Sequence, residues 1–142
     1  MQPAPSPLTR RHFIKTTAAG AAAIAAPAPG VFAAGSDAVR VAMVGAGNRG
    51  TMDAVFLLKS TPGVELVAIA DMFQDKVDVA MKRLQKEAPE QTKVTPDKIF
   101  LGFDAYKKVL AMKEVDLVML LTPPGFRPEM AAACVDAGKH MF

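Results

Sequence analysis

Val39-Arg-Val-Ala-Met-Val-Gly-Ala-Gly-Asn-Arg-Gly50 decides the fold of this chain. Val39 to Val44 is an apolar, β-branched run broken only by Arg40, the composition of a strand covered on both faces. Gly45-Ala-Gly47-Asn-Arg-Gly50 then matches G-x-G-x-x-G, and Met52, Val55, Phe56 and Leu58 follow at helical spacing over Thr51 to Lys59. Strand, glycine turn and helix in that order make a seat for a pyrophosphate. Gly45 allows the tight turn out of the strand. Gly47 lacks the Cβ that would hold a pyrophosphate off the backbone, and Gly50 lets the helix pack close to the sheet. The helix start adds unpaired N–H groups and the positive end of its dipole. Asn48 and Arg49 fall on the rim, where side chains reach phosphate or ribose; Arg49 also suits a solvated surface charge.

Val64 to Ala70 reads as a second buried strand, and it ends at Asp71, 21 residues after Gly50. An acid at the end of strand two accepts hydrogen bonds from the adenosine ribose 2′-OH. A charge-assisted bond of that kind contributes roughly 1.5–3 kcal/mol, and the same carboxylate repels a 2′-phosphate. Met72 offers a phosphate nothing and no arginine follows nearby, so NAD is expected in preference to NADP. The alternative role for Asp71 is to cap the next helix. A methyltransferase site wants an acid just before the first glycine, where this chain has Met43-Val44, and a P-loop would need Gly-Lys-Ser/Thr, which does not occur.

The alternation continues. Gln74 to Ala88 is an amphipathic helix stopped by Pro89, Glu90 to Lys98 a polar loop, and Ile99 to Phe103 a short strand. Ala105 to Lys113 is a short helix with Asp104 as its N-cap, and Val115 to Leu121 a strong strand. After the turn Thr122-Pro-Pro-Gly125, a helix with Pro128 in its first turn runs to Ala137, with Gly138 as C-cap. His140-Met-Phe142 opens a further strand. The pattern predicts an α/β, Rossmann-like, doubly wound parallel sheet with right-handed crossovers, incomplete at its end.

The N-terminus is different in kind. Thr9-Arg-Arg-His-Phe-Ile-Lys15 precedes eleven uncharged residues, Thr16 to Ala26, then Pro27, Pro29, Gly30 and Val31-Phe-Ala33. A charged region, a short weakly apolar region and small residues at the cleavage position describe an export signal. The paired arginines with Phe13 and Lys15 resemble the twin-arginine pattern S/T-R-R-x-F-L-K, with Ile14 in place of Leu. A basic amphipathic helix, a mitochondrial presequence and an uncleaved anchor fit the composition less well. Residues 1–33 are therefore expected to be a twin-arginine signal peptide and 34–142 the nucleotide-binding domain, and the protein is expected in the periplasm or otherwise exported, with no stable membrane span.

Charge and cysteine usage narrow the function classes. Of 17 Lys and Arg, Arg10, Arg11 and Lys15 lie in the leader, which leaves 14 against 14 Asp and Glu. The net +3 is thus local to the leader, and the basic balance argues for no nucleic-acid partner. The single cysteine, Cys134, excludes an intrachain disulfide and sits in an apolar helical run as a small hydrophobe. His12 and His140 are isolated, and no metal-ligand cluster is present.

As a set, these motifs become specific at Val115-Asp-Leu-Val-Met-Leu-Leu-Thr-Pro-Pro124, joined to Asp104-Ala-Tyr-Lys-Lys-Val-Leu110 and Ala137-Gly-Lys-His140. Their order resembles the N-terminal domain of the Gfo/Idh/MocA oxidoreductases, and the Asn48-Arg49-Gly50 variant is similar to that of the NAD-dependent glycosidases related to them. The resemblance implies that Gly45, Gly47, Asn48, Arg49 and Gly50 line the pyrophosphate of NAD, that Asp71 holds the adenine ribose, and that Thr122, Pro123 and Pro124 border the nicotinamide. It implies hydride transfer between nicotinamide and a sugar, polyol or related hydroxy compound, or a glycosidase-like variant of that chemistry. Many members carry Asn-His after Thr-Pro; here Pro124-Gly-Phe-Arg127 stands instead. The family continues into an E-K-P motif, whose lysine helps place or protonate the substrate, and a second α+β domain that binds substrate and often builds homo-oligomers. Neither occurs in these 142 residues, so no catalytic residue is assigned. The chain is expected to be a fragment or a non-catalytic binding module, inactive alone.

Overall fold

The computed structural model describes residues 38–142; the expected leader lies outside them. Five parallel strands form one sheet in the order β3-β2-β1-β4-β5. They are β1 (Val39–Val44), β2 (Val64–Asp71), β3 (Ile99–Leu101), β4 (Leu117–Leu120) and β5 (His140–Met141). Four helices make the crossovers: α1 (Asn48–Ser60), α2 (Gln74–Glu87), α3 (Ala105–Leu110) and α4 (Arg127–Asp136). The chain reverses direction across the sheet after β3, so β1 and β4 become neighbours, paired from Val41↔Leu117 to Val44↔Leu120. That reversal is the switch point at which open α/β sheets bind ligands.

The sheet is covered on both faces, as its apolar strands require. Val41, Met43, Leu66, Ile69 and Met119 pack under α1 and α2, against Ala54, Val55, Leu58, Val77, Ala80 and Leu84. Ala42, Val44, Ala68, Ala70, Val118 and Leu120 pack under α3 and α4, against Tyr106, Val109, Met130 and Cys134. Burial pushes the Cys134 thiol pKa up, which suits a packing role. The two faces differ in residue size: β1 and β2 give mainly alanine to the α3/α4 side.

The strand pattern contains one irregularity. Val41 pairs with Leu66 and Ala42 with Ala68, so Val67 is left over in β2. This bulge puts Leu66 and Ile69 on the same face although they are three residues apart. A continuous apolar run conceals such a slip, because both faces of the strand are buried.

Several local expectations need correction. Helix α1 begins at Asn48 rather than Thr51, because the glycine turn closes directly into it. Helix α3 ends at Leu110, short of Lys113. Asp104 makes no side-chain cap bond; its carboxylate pairs with Lys107 one turn on (2.7 Å). Gly138 does follow α4 at a positive φ of 65°, as a C-terminal glycine should. Strand β4 is shorter than the apolar run, and a 3₁₀ turn over Pro124–Phe126 leads into α4.

Candidate functional site

The C-terminal ends of the strands open onto a cleft of about 520 Å³. Its floor is the glycine turn. Gly45 leaves β1 with φ +104°, a conformation that side chains resist, and its N–H donates to the Ala70 carbonyl (2.8 Å). A Cβ on Gly45 would stand 2.8 Å from the Leu121 carbonyl carbon, so the β1 and β4 exits touch here. A Cβ on Gly50 would collide with the Gly45 carbonyl oxygen, which is how closely α1 approaches the sheet. Gly47 is the opposite case: an added Cβ would meet no protein atom within 4 Å. Its missing side chain leaves open cleft, the cradle that a pyrophosphate lying on the backbone requires.

Donors point into that cradle. The helical ladder of α1 starts with Thr51 N–H donating to the Gly47 carbonyl (2.9 Å), so the amides of Asn48, Arg49 and Gly50 stand ahead of it. The buried Thr51 hydroxyl holds the turn from inside, donating to the Gly47 carbonyl (2.9 Å) and lying 3.2 Å from that of Ala46. Arg49 is on the rim, but its Nε is occupied by Asp53 (2.8 Å) and its side chain is 79% exposed. The solvated alternative accounts for that arrangement.

Asp71 closes the second side. Its Oδ2 accepts from Ala46 N–H (2.6 Å) and its Oδ1 from Phe73 N–H (2.9 Å). The bond to Phe73 closes a short turn ahead of α2 and does not cap it, since the helix begins at Gln74; each carboxylate oxygen keeps a second acceptor direction. The carboxylate also fastens the glycine turn to the end of β2, a link between residues 46 and 71 that only the fold reveals.

The structure brings Gly45, Gly47, Asn48, Arg49, Gly50, Asp71, Thr122 and Pro123 to the cleft wall. Pro124 is not among the lining residues; the 3₁₀ turn that begins there carries Phe126 and Arg127 to the wall instead. Residues that sequence reasoning did not single out complete the wall. Phe103, after β3, and Phe126, after β4, meet edge to face with ring centroids 5.5 Å apart, and both stay nearly half exposed. Tyr106 is buried beside them and donates its hydroxyl to Glu129 (3.0 Å); burial, and then that bond, raise its pKa. Lys76, in the first turn of α2, lines the cleft together with Met72. The usable signal for all of these was position: each follows the C-terminal end of a parallel strand or opens the next helix.

Among the described residues, no group of His, Cys, Asp and Glu is placed to hold a metal ion, and no helix is long and apolar enough to cross a membrane.

A Rossmann-type sheet with a glycine turn at its switch point defines a dinucleotide-binding protein. Residues 39–142 match the family described as "Oxidoreductase family, NAD-binding Rossmann fold", and residues 7–27 match the twin-arginine translocation signal. The chain belongs to this family, the Gfo/Idh/MocA oxidoreductases, and its signal indicates export by the twin-arginine route. A glycosyl hydrolase family 109 protein of Shewanella sp. (strain W3-18-1) is 31% identical over 94% of this chain and 32% of its own length. An alpha-N-acetylgalactosaminidase of Shewanella oneidensis is 30% identical with the same coverage. The chain thus spans about a third of the length of these relatives. In fold it is similar to scyllo-inositol dehydrogenase of Lactobacillus casei, solved with NAD(H) and scyllo-inositol (TM-score 0.54, 20% identity, 74% of this chain and 27% of that one).

Proposed function

We propose that residues 34–142 are the nucleotide-binding part of an exported, NAD-dependent enzyme acting on a sugar, polyol or related hydroxy compound, delivered by a leader over 1–33. The observation that carries this reading is the meeting of the glycine turn and Asp71 in one apolar-walled cleft. When bound, NAD supplies a hydride acceptor, and this chain's residues bind and orient it. The amides of Asn48, Arg49 and Gly50 face the pyrophosphate, and the open space at Gly47 admits it. Asp71 receives the adenosine ribose and disfavours a 2′-phosphate, so NAD is preferred to NADP. Thr122 and Pro123 stand at the β4 exit, beyond the turn, on the nicotinamide side.

The names of the glycosyl hydrolase family 109 relatives favour a second reading, in which hydride is taken from the sugar and returned, and the net reaction is glycoside hydrolysis. The chain alone is expected to show no turnover of either kind, since the family's E-K-P lysine is not among its residues. Homo-oligomerisation belongs to the same proposal, through the family's second domain.

Calorimetric titration of the 142-residue chain tests the site. NAD should bind more tightly than NADP, and Asp71→Asn should weaken NAD by roughly tenfold, the low end of a charge-assisted bond. Equal NAD affinity in both proteins would remove Asp71 from the site. In a full-length relative, net NADH formation on a polyol supports oxidation; glycoside cleavage without net NADH supports the second reading.

A further inference from the structure

Three cations line the cleft, and they are not equivalent. Arg49 is paired with Asp53 at 2.8 Å, and Lys76 has Asp75 at 3.6 Å. Arg127 has no carboxylate partner among the described residues. Its recorded polar contact is through Nε, which donates to the Thr122 carbonyl at 2.6 Å. That bond anchors the guanidinium at the exit of β4 and leaves both terminal NH₂ groups uncommitted. A planar fork held at its base is the arrangement that grips two oxygens of a phosphate. Thr122 itself backs the glycine turn: its amide nitrogen would lie 2.9 Å from a Cβ on Gly45. Arg127 is therefore tethered to the residue that abuts the pyrophosphate seat.

Strand order says which phosphate is within reach. Along β2-β1-β4, Asp71 marks the adenosine side, the glycine turn the middle and Arg127 the far side. A dinucleotide laid from Asp71 across the turn presents its distal phosphate, the one bearing the nicotinamide ribose, towards Arg127. We infer that Arg127 is a phosphate-binding residue, clamping the distal phosphate of the dinucleotide from the β4 side while the α1 amides hold it from the β1 side. The inference rests on the dinucleotide reading of the cleft.

Calorimetry on the 142-residue chain with NAD, ADP and AMP separates the two. Arg127→Gln keeps an N–H donor for the Thr122 carbonyl and removes the charge and the fork. It should weaken NAD and ADP by roughly tenfold, as loss of one charge-assisted contact does, and AMP by less than about twofold, since AMP lacks the distal phosphate. Arg127→Lys, with charge but no fork, should fall between. Unchanged ADP affinity in Arg127→Gln overturns the inference. Equal losses for AMP and ADP also overturn it, because they assign Arg127 to loop structure. Failure of the unsubstituted chain to bind any of the three overturns the dinucleotide reading itself, and the clamp with it.

Discussion

The two ends of the sheet use polar groups in opposite ways. At the N-terminal end of the strands they satisfy one another. Lys139 donates to the carbonyls of Met112 and Val115, both at 2.7 Å. The Asp116 carboxylate accepts from Arg40 N–H (2.8 Å), and Lys98 pairs with Glu114 (2.7 Å). At the C-terminal end, leading helix amides, a guanidinium fork and half-exposed aromatic rings face an open cleft. The first end uses its polar groups to hold loops to strands; the second, although Asp71 there also fastens the glycine turn to β2, leaves the leading α1 amides and the end of the Arg127 guanidinium facing the cleft. Lys139 shows the difference well. It belongs to the Ala137-Gly-Lys-His140 motif that marks the family, yet its ammonium serves the closed end.

Substitutions can break this division. The largest effect is expected from Gly50→Ala, where the new methyl must displace the Gly45 carbonyl and α1 together. Overpacking against backbone should cost about 3 kcal/mol, and NAD binding should disappear with it; thermal melts and calorimetry read both. Lys139→Met keeps the apolar stem and removes the donors to two carbonyls. It should cost about 2 kcal/mol in denaturant unfolding while NAD affinity stays within about twofold, because nothing at the cleft changes. Gly47→Ala should do the reverse. Its methyl meets no protein atom, so stability should fall by only about 0.5 kcal/mol, yet NAD affinity should fall at least about tenfold, since the methyl occupies the cradle. If Gly47→Ala binds NAD normally, the cleft is not held open for a pyrophosphate.

The smallest effect concerns pH. The bond from Lys98 holds the Glu114 carboxyl below the usual carboxylate range, and the same bond raises Lys98. The folded chain therefore binds the Glu114 proton less tightly than the unfolded chain does. That contribution is complete above the ordinary carboxyl range and is lost as pH falls through the lowered value. The Lys98 contribution is complete below the ordinary lysine range and is lost as pH rises through the raised value. Glu114→Gln should flatten the acid limb of a Tm-against-pH profile and leave NAD binding at neutral pH unchanged. A shift in NAD affinity would show that the two ends are coupled.

Much of the fold was legible because its signals are local. Val39–Val44 with its glycine turn, the acid at Asp71, Pro128 in a first turn and Gly138 after a last one each depend on a few neighbouring residues. The misses were contests between local signals. Asp104 has the chemistry of an N-cap, but Lys107 one turn on took its carboxylate. The Val67 bulge was hidden because a strand buried on both faces shows no alternation to disturb.

By itself, then, the sequence determined the alternation of strands and helices, the glycine turn, the acid that follows it and the family to which they belong. Those are matters of periodicity, backbone freedom and spacing, which act along the chain. Tertiary structure alone decided which side chains share the cleft. It tied Asp71 to Ala46, seated Phe103 against Phe126, left Pro124 off the wall and carried Arg127 onto it. Those pairings join separate loops, and only sheet order and register bring the loops together.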